Sequence, residues 1–295
     1  MSYDLFLKPR EGDISFPQLA GYFGSRPGYQ RGENEFWYHN GDTGVYFSIY
    51  FRGADAGANI ERPGFPLHFN MEFYRPSFFA FEAEAEVSSL VRKFDLIASD
   101  PQALGMGEGD YDGEKFLNGW HSGNGFAYQA AQELKANDEQ VNVLTLAQHD
   151  LHGMWGWNRN RVRYQKHLGE AYYVPPIWPM KIEGHVTTAT MWPDGIPTFI
   201  PKAKFLIIPR DKYGPKGGKQ SKKDMAIIPW EQVEPIIGKY SEKIQEDGYL
   251  INSYEKVPAD VESFIKELPS SDVQAERVAF DSVLDLELWQ SSSVQ

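Results

Sequence analysis

Residues 35–52 read EFWYHNGDTGVYFSIYFR, and this stretch decides the fold class. Two runs rich in aromatic and β-branched residues flank Asn40-Gly41-Asp42-Thr43-Gly44. Asn, Asp and Gly tolerate turn dihedrals at low cost, so the spacing predicts a β-hairpin with strands over 34–39 and 45–52. Asn40-Gly41 and Gly44 are expected at turn positions where positive φ is available. Upstream, YDLFLK (3–8) reads as a first strand and residues 16–23 as a short helix. Downstream, LHFNMEFY (67–74) reads as another strand.

Helical spacing takes over after Pro76-Ser77. Phe81, Val87, Leu90, Val91, Phe94 and Ile97 recur at that period. Ser77 is the expected N-cap, and Glu82 and Glu84 suit the positive end of the helix dipole. A second helix is expected over 125–137, whereas 138–152 is ambiguous between helix and strand. The proline-rich YYVPPIWP (172–179) marks a boundary, which gives an N-terminal lobe over 1–171 and a β-rich C-terminal lobe over 172–295. In the second lobe Trp192-Pro193-Asp194-Gly195 predicts a turn, 231–246 and 259–268 predict helices, and Phe280, Leu284, Leu286 and Leu288 alternate as in a last strand. The fold class is therefore α+β: antiparallel sheets with flanking helices in two lobes.

The chain has 295 residues and no cysteine, which excludes disulfides, thiolate zinc sites and cysteine nucleophiles. The opening MSYDLFLKPR has no apolar core of a signal peptide, and no apolar run approaches a membrane span. A soluble, cytoplasmic protein without a membrane partner is expected. The net charge of −12 is unevenly placed. Residues 1–150 hold 22 acids and 11 bases, residues 151–295 hold 19 and 18, and the window 82–150 alone holds 13 and 4. Such an excess repels nucleic acid and attracts a basic partner.

Several motifs come close to known chemistry and then depart from it. In HDLHGMWGWNRNRVRYQKH (149–167), a helix would place His149 and His152 on one face, but zinc-protease histidines stand four apart with a glutamate between them. Arg159, Arg161 and Arg163 alternate, so an extended segment would align them; pairing with the acids of 82–150 or lining a seam between the lobes is the expected use. Glu108, Asp110, Asp112 and Gly113 occupy the first positions of a calcium loop, but its closing glutamate falls on Gly119. GPKGGKQSKK (214–223) lacks the first glycine of a phosphate loop, and GWHSG (119–123) lacks the spacing of a nucleophile elbow. No catalytic residue, metal or cofactor is assigned.

Three stretches carry a family resemblance: MSYDLFLKPR at the start, YHNGDTGVYFSIYF in the hairpin, and TATMWPDGIPTFIPKAKFLIIPRD at 188–211. Together they resemble bacterial immunity proteins encoded beside polymorphic or type VI secretion toxins, most closely the immunity partner of a restriction-endonuclease-type DNase toxin. The resemblance implies an antitoxin that binds and neutralises a secreted nuclease and is not itself an enzyme. The charge distribution is consistent with that role and suggests the partner-facing residues: Glu108, Asp110, Asp112 and Glu114 first, then Glu82, Glu84 and Glu86, with Asp138 and Glu139 in the same acidic window. The competing expectations are a hydrolase using clustered carboxylates or the His149/His152 pair, and a glycan or small-ligand binder using exposed aromatics.

Overall fold

The computed structural model describes residues 1–52, 62–102, 104–137, 143–210, 212, 225–244, 248–251, 254, 256–269 and 274–292. Its contacts divide the chain into two units, residues 1–148 with 281–295, and residues 149–280. The second unit is thus an insertion in the first. Asp138, Glu139 and the whole 214–223 segment lie outside the described residues.

In the first unit the chain runs β1 (Ser2–Pro9), α1 (Phe16–Gly24), β2 (Tyr29–Arg31), β3 (Glu35–His39), β4 (Tyr46–Phe51), β5 (Leu67–Glu72), α2 (Phe78–Phe94), β6 (Leu96–Asp100), β7 (Gly107–Asp110), α3 (Gly113–Asn137) and β8 (Leu144–Leu146). Among the described residues β1–β7 form one antiparallel sheet in the order β2-β3-β4-β5-β1-β6-β7. Alternation sets its inner face: Leu5 and Leu7 of β1, Phe36 and Tyr38 of β3, Phe47 and Ile49 of β4, and Leu67 and Phe69 of β5 are all buried. Phe79, Ala83, Val87 and Leu90 of α2, and Phe116 and Trp120 of α3, are buried with them. The close approach of α3 needs a glycine, because a Cβ on Gly123 would lie 2.2 Å from the Phe73 ring.

The hairpin forms where the sequence predicts it, with Phe36 opposite Ile49 and Tyr38 opposite Phe47. Its turn is more economical than expected. Gly44 alone of the predicted positions takes positive φ (75°), while the Asn40 carbonyl accepts from Thr43 and Gly44 N–H and the Asn40 side chain accepts from Asp42 N–H at 3.1 Å. The side chain of Asn40 supplies the closure that a second positive-φ residue would otherwise provide.

The second unit holds α4 (Gln148–Leu168), β9 (Trp178–Ile182), β10 (His185–Met191), β11 (Phe199–Ile200), β12 (Phe205–Pro209), β13 (Met225–Pro229), α5 (Trp230–Tyr240), β14 (Ser241–Ile244), β15 (Gly248–Ile251), α6 (Ala259–Glu267) and β16 (Ala275–Arg277). Its larger described sheet has the order β13-β12-β10-β9-β16, with β10 and β12 parallel; β11, β15 and β14 form a smaller one. Glu183 and Gly184, both at positive φ, turn β9 into β10. Trp192, Trp230, Val233, Ile237, Val261 and Ile265 build the core beneath α5 and α6.

The boundary lies ahead of α4 and not at the proline-rich stretch, and the reason is local. Trp157 Nε1–H donates to the Pro175 carbonyl at 2.7 Å, and the Asn158 amide both donates to and accepts from Ile177. The Gln165 side chain spans Tyr172 and Val174 in the same way. The proline segment therefore straps α4 to its own unit. After β16 the chain returns to the first unit as β17 (Val283–Asp285), parallel to β8, followed by α7 (Leu286–Ser291). The long last strand expected from alternation is thus a short strand and a helix. Val283, Leu284 and Asp285 are all buried in succession, which a half-exposed strand does not allow. Among the described residues no helix is long and apolar enough to cross a membrane.

Candidate partner-binding surface

The acids singled out in the sequence separate into two groups. Glu82, Glu84 and Glu86 sit on α2, where a residue and its fourth neighbour share a face. Glu82 is 1% exposed and accepts hydrogen bonds from the Tyr38 hydroxyl (2.7 Å), the Asn40 amide (2.7 Å) and the Thr43 hydroxyl (3.2 Å). It clamps the hairpin turn to the helix. Burial, together with the Glu82 charge and hydrogen bond, pushes the Tyr38 hydroxyl well above its ordinary range. Glu86, on the same face, pairs with Arg26 at 2.7 Å and accepts from the Tyr29 hydroxyl at 3.0 Å. Glu84 points the other way and accepts from Ser88 and, at 3.4 Å, from Tyr111. The expectation that these three face a partner is corrected for Glu82, which has almost no surface; Glu84 and Glu86 are half-buried and engaged internally.

The second group lies on β7, the last strand of the sheet among the described residues. β7 pairs with β6 so that Asp110 stands opposite Ile97 and Glu108 opposite Ser99. Two residues apart on one strand, Glu108 and Asp110 project to the same side. Both are open to solvent, at 56% and 81% side-chain exposure. Lys8 approaches Glu108 at 3.6 Å, and Arg10 reaches Asp110 at 2.6 Å and Asp95 at 3.5 Å. Asp112 has a different task. Its Oδ1 accepts the N–H groups of Glu114 (3.0 Å) and Lys115 (3.1 Å), capping the start of α3. Glu114 follows, exposed, on the first turn. The sequence 108–114 is therefore an edge strand running into a helix cap. Asp95, Glu108, Asp110 and Glu114 face water there against Lys8 and Arg10.

His149 and His152 lie on α4, as the helical alternative has it. His149 is exposed and stands 3.3 Å from Asp150, which also lies 3.8 Å from Lys204. Among the described residues no group of three or more His, Asp or Glu could hold a metal ion. The three arginines are not on one face, because α4 is a helix and not an extended segment. Arg161 folds inward toward the Val174 carbonyl, while Arg159 and Arg163 point to solvent.

Sequence reasoning missed one polar cluster on the outer face of the sheet. His68 is buried and stacked on Phe6 at 4.7 Å. Its Nε2 lies 2.7 Å from Asp4, and its Nδ1 lies 2.8 Å from the Arg52 guanidinium. Because arginine only donates, the Arg52 contact is satisfied when Nδ1 accepts, and Nε2–H then donates to Asp4. Burial by itself would raise the Asp4 carboxyl, but hydrogen bonds from His68, Asn70 and Ser2 hold it below the usual range. Both ring nitrogens are engaged, so this imidazole ties β1 and β5 to Arg52. The signal was a strand register: Asp4 pairs with Asn70 and Phe6 with His68 across β1 and β5.

Comparison with protein-family models, with curated proteins and with solved structures finds no match.

Proposed function

We propose that this chain is an immunity protein: it binds a basic nuclease toxin with the acidic edge of its first unit and thereby protects the cell that makes it. The observation that carries the reading is the cluster of solvent-exposed carboxylates at Asp95, Glu108, Asp110 and Glu114, set on strand and helix-end positions and outnumbering the Lys8 and Arg10 cations beside them. A nuclease presents a cationic groove to its phosphate substrate. A carboxylate array held in place meets such a groove without the ordering cost of a mobile loop. The resemblance of residues 1–10, 38–51 and 188–211 to immunity partners of DNase toxins supports the same reading. The task needs no catalytic group, and it belongs in the cytoplasm, where the toxin's DNA substrate lies.

The test takes the product of the gene adjacent to this one, which the proposal expects to end in a basic nuclease domain. Glu108→Lys, Asp110→Lys and Glu114→Lys are combined, and Asp112 is kept because it caps α3. The triple variant is expected to bind the nuclease at least about tenfold more weakly and to lose protection of toxin-expressing cells. Unchanged affinity and protection in a folded variant would remove this edge from the interface.

A further inference from the structure

The second unit carries a surface of the opposite sign. One face of α4 is committed to packing: Leu151, Met154, Trp157 and Asn158 are buried. The other face shows the half-buried Trp155 and then Arg159, Arg163 and Lys166, each about one turn from the one before, with Val162 beside Arg163. Val162 is 61% exposed. Arg159 lies over the Trp155 ring, 5.3 Å from its centroid, and Arg163 over the Tyr164 ring at 5.6 Å. Neither makes an ion pair among the described residues. From residue 151 to residue 169 the sequence contains no Asp or Glu, within a chain of net charge −12.

An arginine resting on an aromatic ring is partly ordered before any partner arrives, so less freedom is lost on docking. Tryptophan and arginine around an apolar centre is the composition of protein-binding hot spots. We propose that this face docks an acidic protein segment. Its carboxylates engage Arg159, Arg163 and Lys166, which rise about 6 Å and about 10 Å along the helix from the first, and an apolar side chain of the segment covers Val162. A nucleic acid fits less well. The chain as a whole repels phosphate, and Val162 has no use for a sugar–phosphate backbone. The inference stands apart from the acidic edge of the first unit and holds whether or not that edge binds a toxin.

Fluorescence anisotropy of the full chain tests it, with a labelled helical peptide that carries glutamates at i, i+4 and i+7 around a leucine. Saturable binding is expected, weakened at least about tenfold between roughly 50 mM and roughly 500 mM salt. The same loss is expected in Arg159→Gln/Arg163→Gln, with circular dichroism showing an unchanged fold. Arg159→Glu/Arg163→Glu should prefer the peptide with lysines in place of its glutamates. Absence of saturable binding, equal binding of a peptide with glutamines at those positions, or tighter binding of a short oligothymidylate would each overturn the proposal. The last outcome would assign the face to nucleic acid.

Discussion

The acids of α2 and those at the β7–α3 edge are similar in number and lie within one window of sequence, yet they end in opposite environments. Glu82 and Glu86 sit one helical turn apart on the side of α2 that meets the strand ends, and the hydroxyls and amide of Tyr38, Asn40, Thr43 and Tyr29 converge on them. Glu108 and Asp110 sit on the last strand of the sheet and meet water. A charge count over a window therefore says little about surface charge. What decides is whether the neighbouring element supplies donors at the distance the carboxylate needs.

The largest test of this contrast is Glu82→Ala. It leaves buried donors of Tyr38, Asn40 and Thr43 without their acceptor, so urea denaturation should show a loss of about 3 kcal/mol. The matching Glu108→Ala change at the edge should stay within about 0.5 kcal/mol. Asp285 sharpens the comparison from the far end of the chain. Its carboxylate accepts the Ser77 N–H at 2.7 Å and the hydroxyls of Ser77 (2.5 Å) and Tyr128 (3.2 Å), so the returning segment caps α2. Asp285→Ala should cost about 2 kcal/mol.

Acid should expose a smaller difference. The folded state holds the Asp4 carboxyl below its ordinary range, so it binds that proton more weakly than the unfolded chain does. The resulting stability is present above the ordinary carboxylate range and is lost as pH falls through it. The urea midpoint gap between the native chain and Asp4→Asn should therefore shrink from about pH 5 to about pH 3. A gap that does not change with pH would show that Asp4 titrates as it does in the unfolded chain. The smallest effect on stability belongs to the triple lysine swap at Glu108, Asp110 and Glu114. Thermal melting should move by a few degrees at most, since these side chains are exposed and their ion pairs with Lys8 and Arg10 are screened by solvent.

Much of the scaffold was legible in the sequence because its signals are local. The 35–52 hairpin, the 193–195 turn and the short helix at residues 16–24 rest on turn chemistry and periodicity within a few residues. What the sequence hid depends on distant partners. Ser77 stands at the N-cap position of α2, as expected, but its hydroxyl goes to Asp285, more than two hundred residues away. The ownership of α4 is decided by Trp157, Asn158 and Gln165 meeting the strap that follows. The alternation of Phe280, Leu284, Leu286 and Leu288 suggested one strand, yet the segment gives three residues to β8 and then coils. For the acids, composition marked the window, but separating clamp from surface required the register of β6 and β7 and the face of α2.

The claim on which the account turns is that the β7–α3 edge meets a cationic partner. The direct measurement is the rate of association between this chain and the basic nuclease domain that the proposal expects as its partner, taken at low and high salt for the native chain and for Glu108→Lys/Asp110→Lys/Glu114→Lys. The account predicts a native rate that falls steeply with salt, and a variant rate at least about tenfold lower at low salt with a much flatter salt dependence. A native rate indifferent to salt, or a folded variant that associates as fast as the native chain, would contradict it.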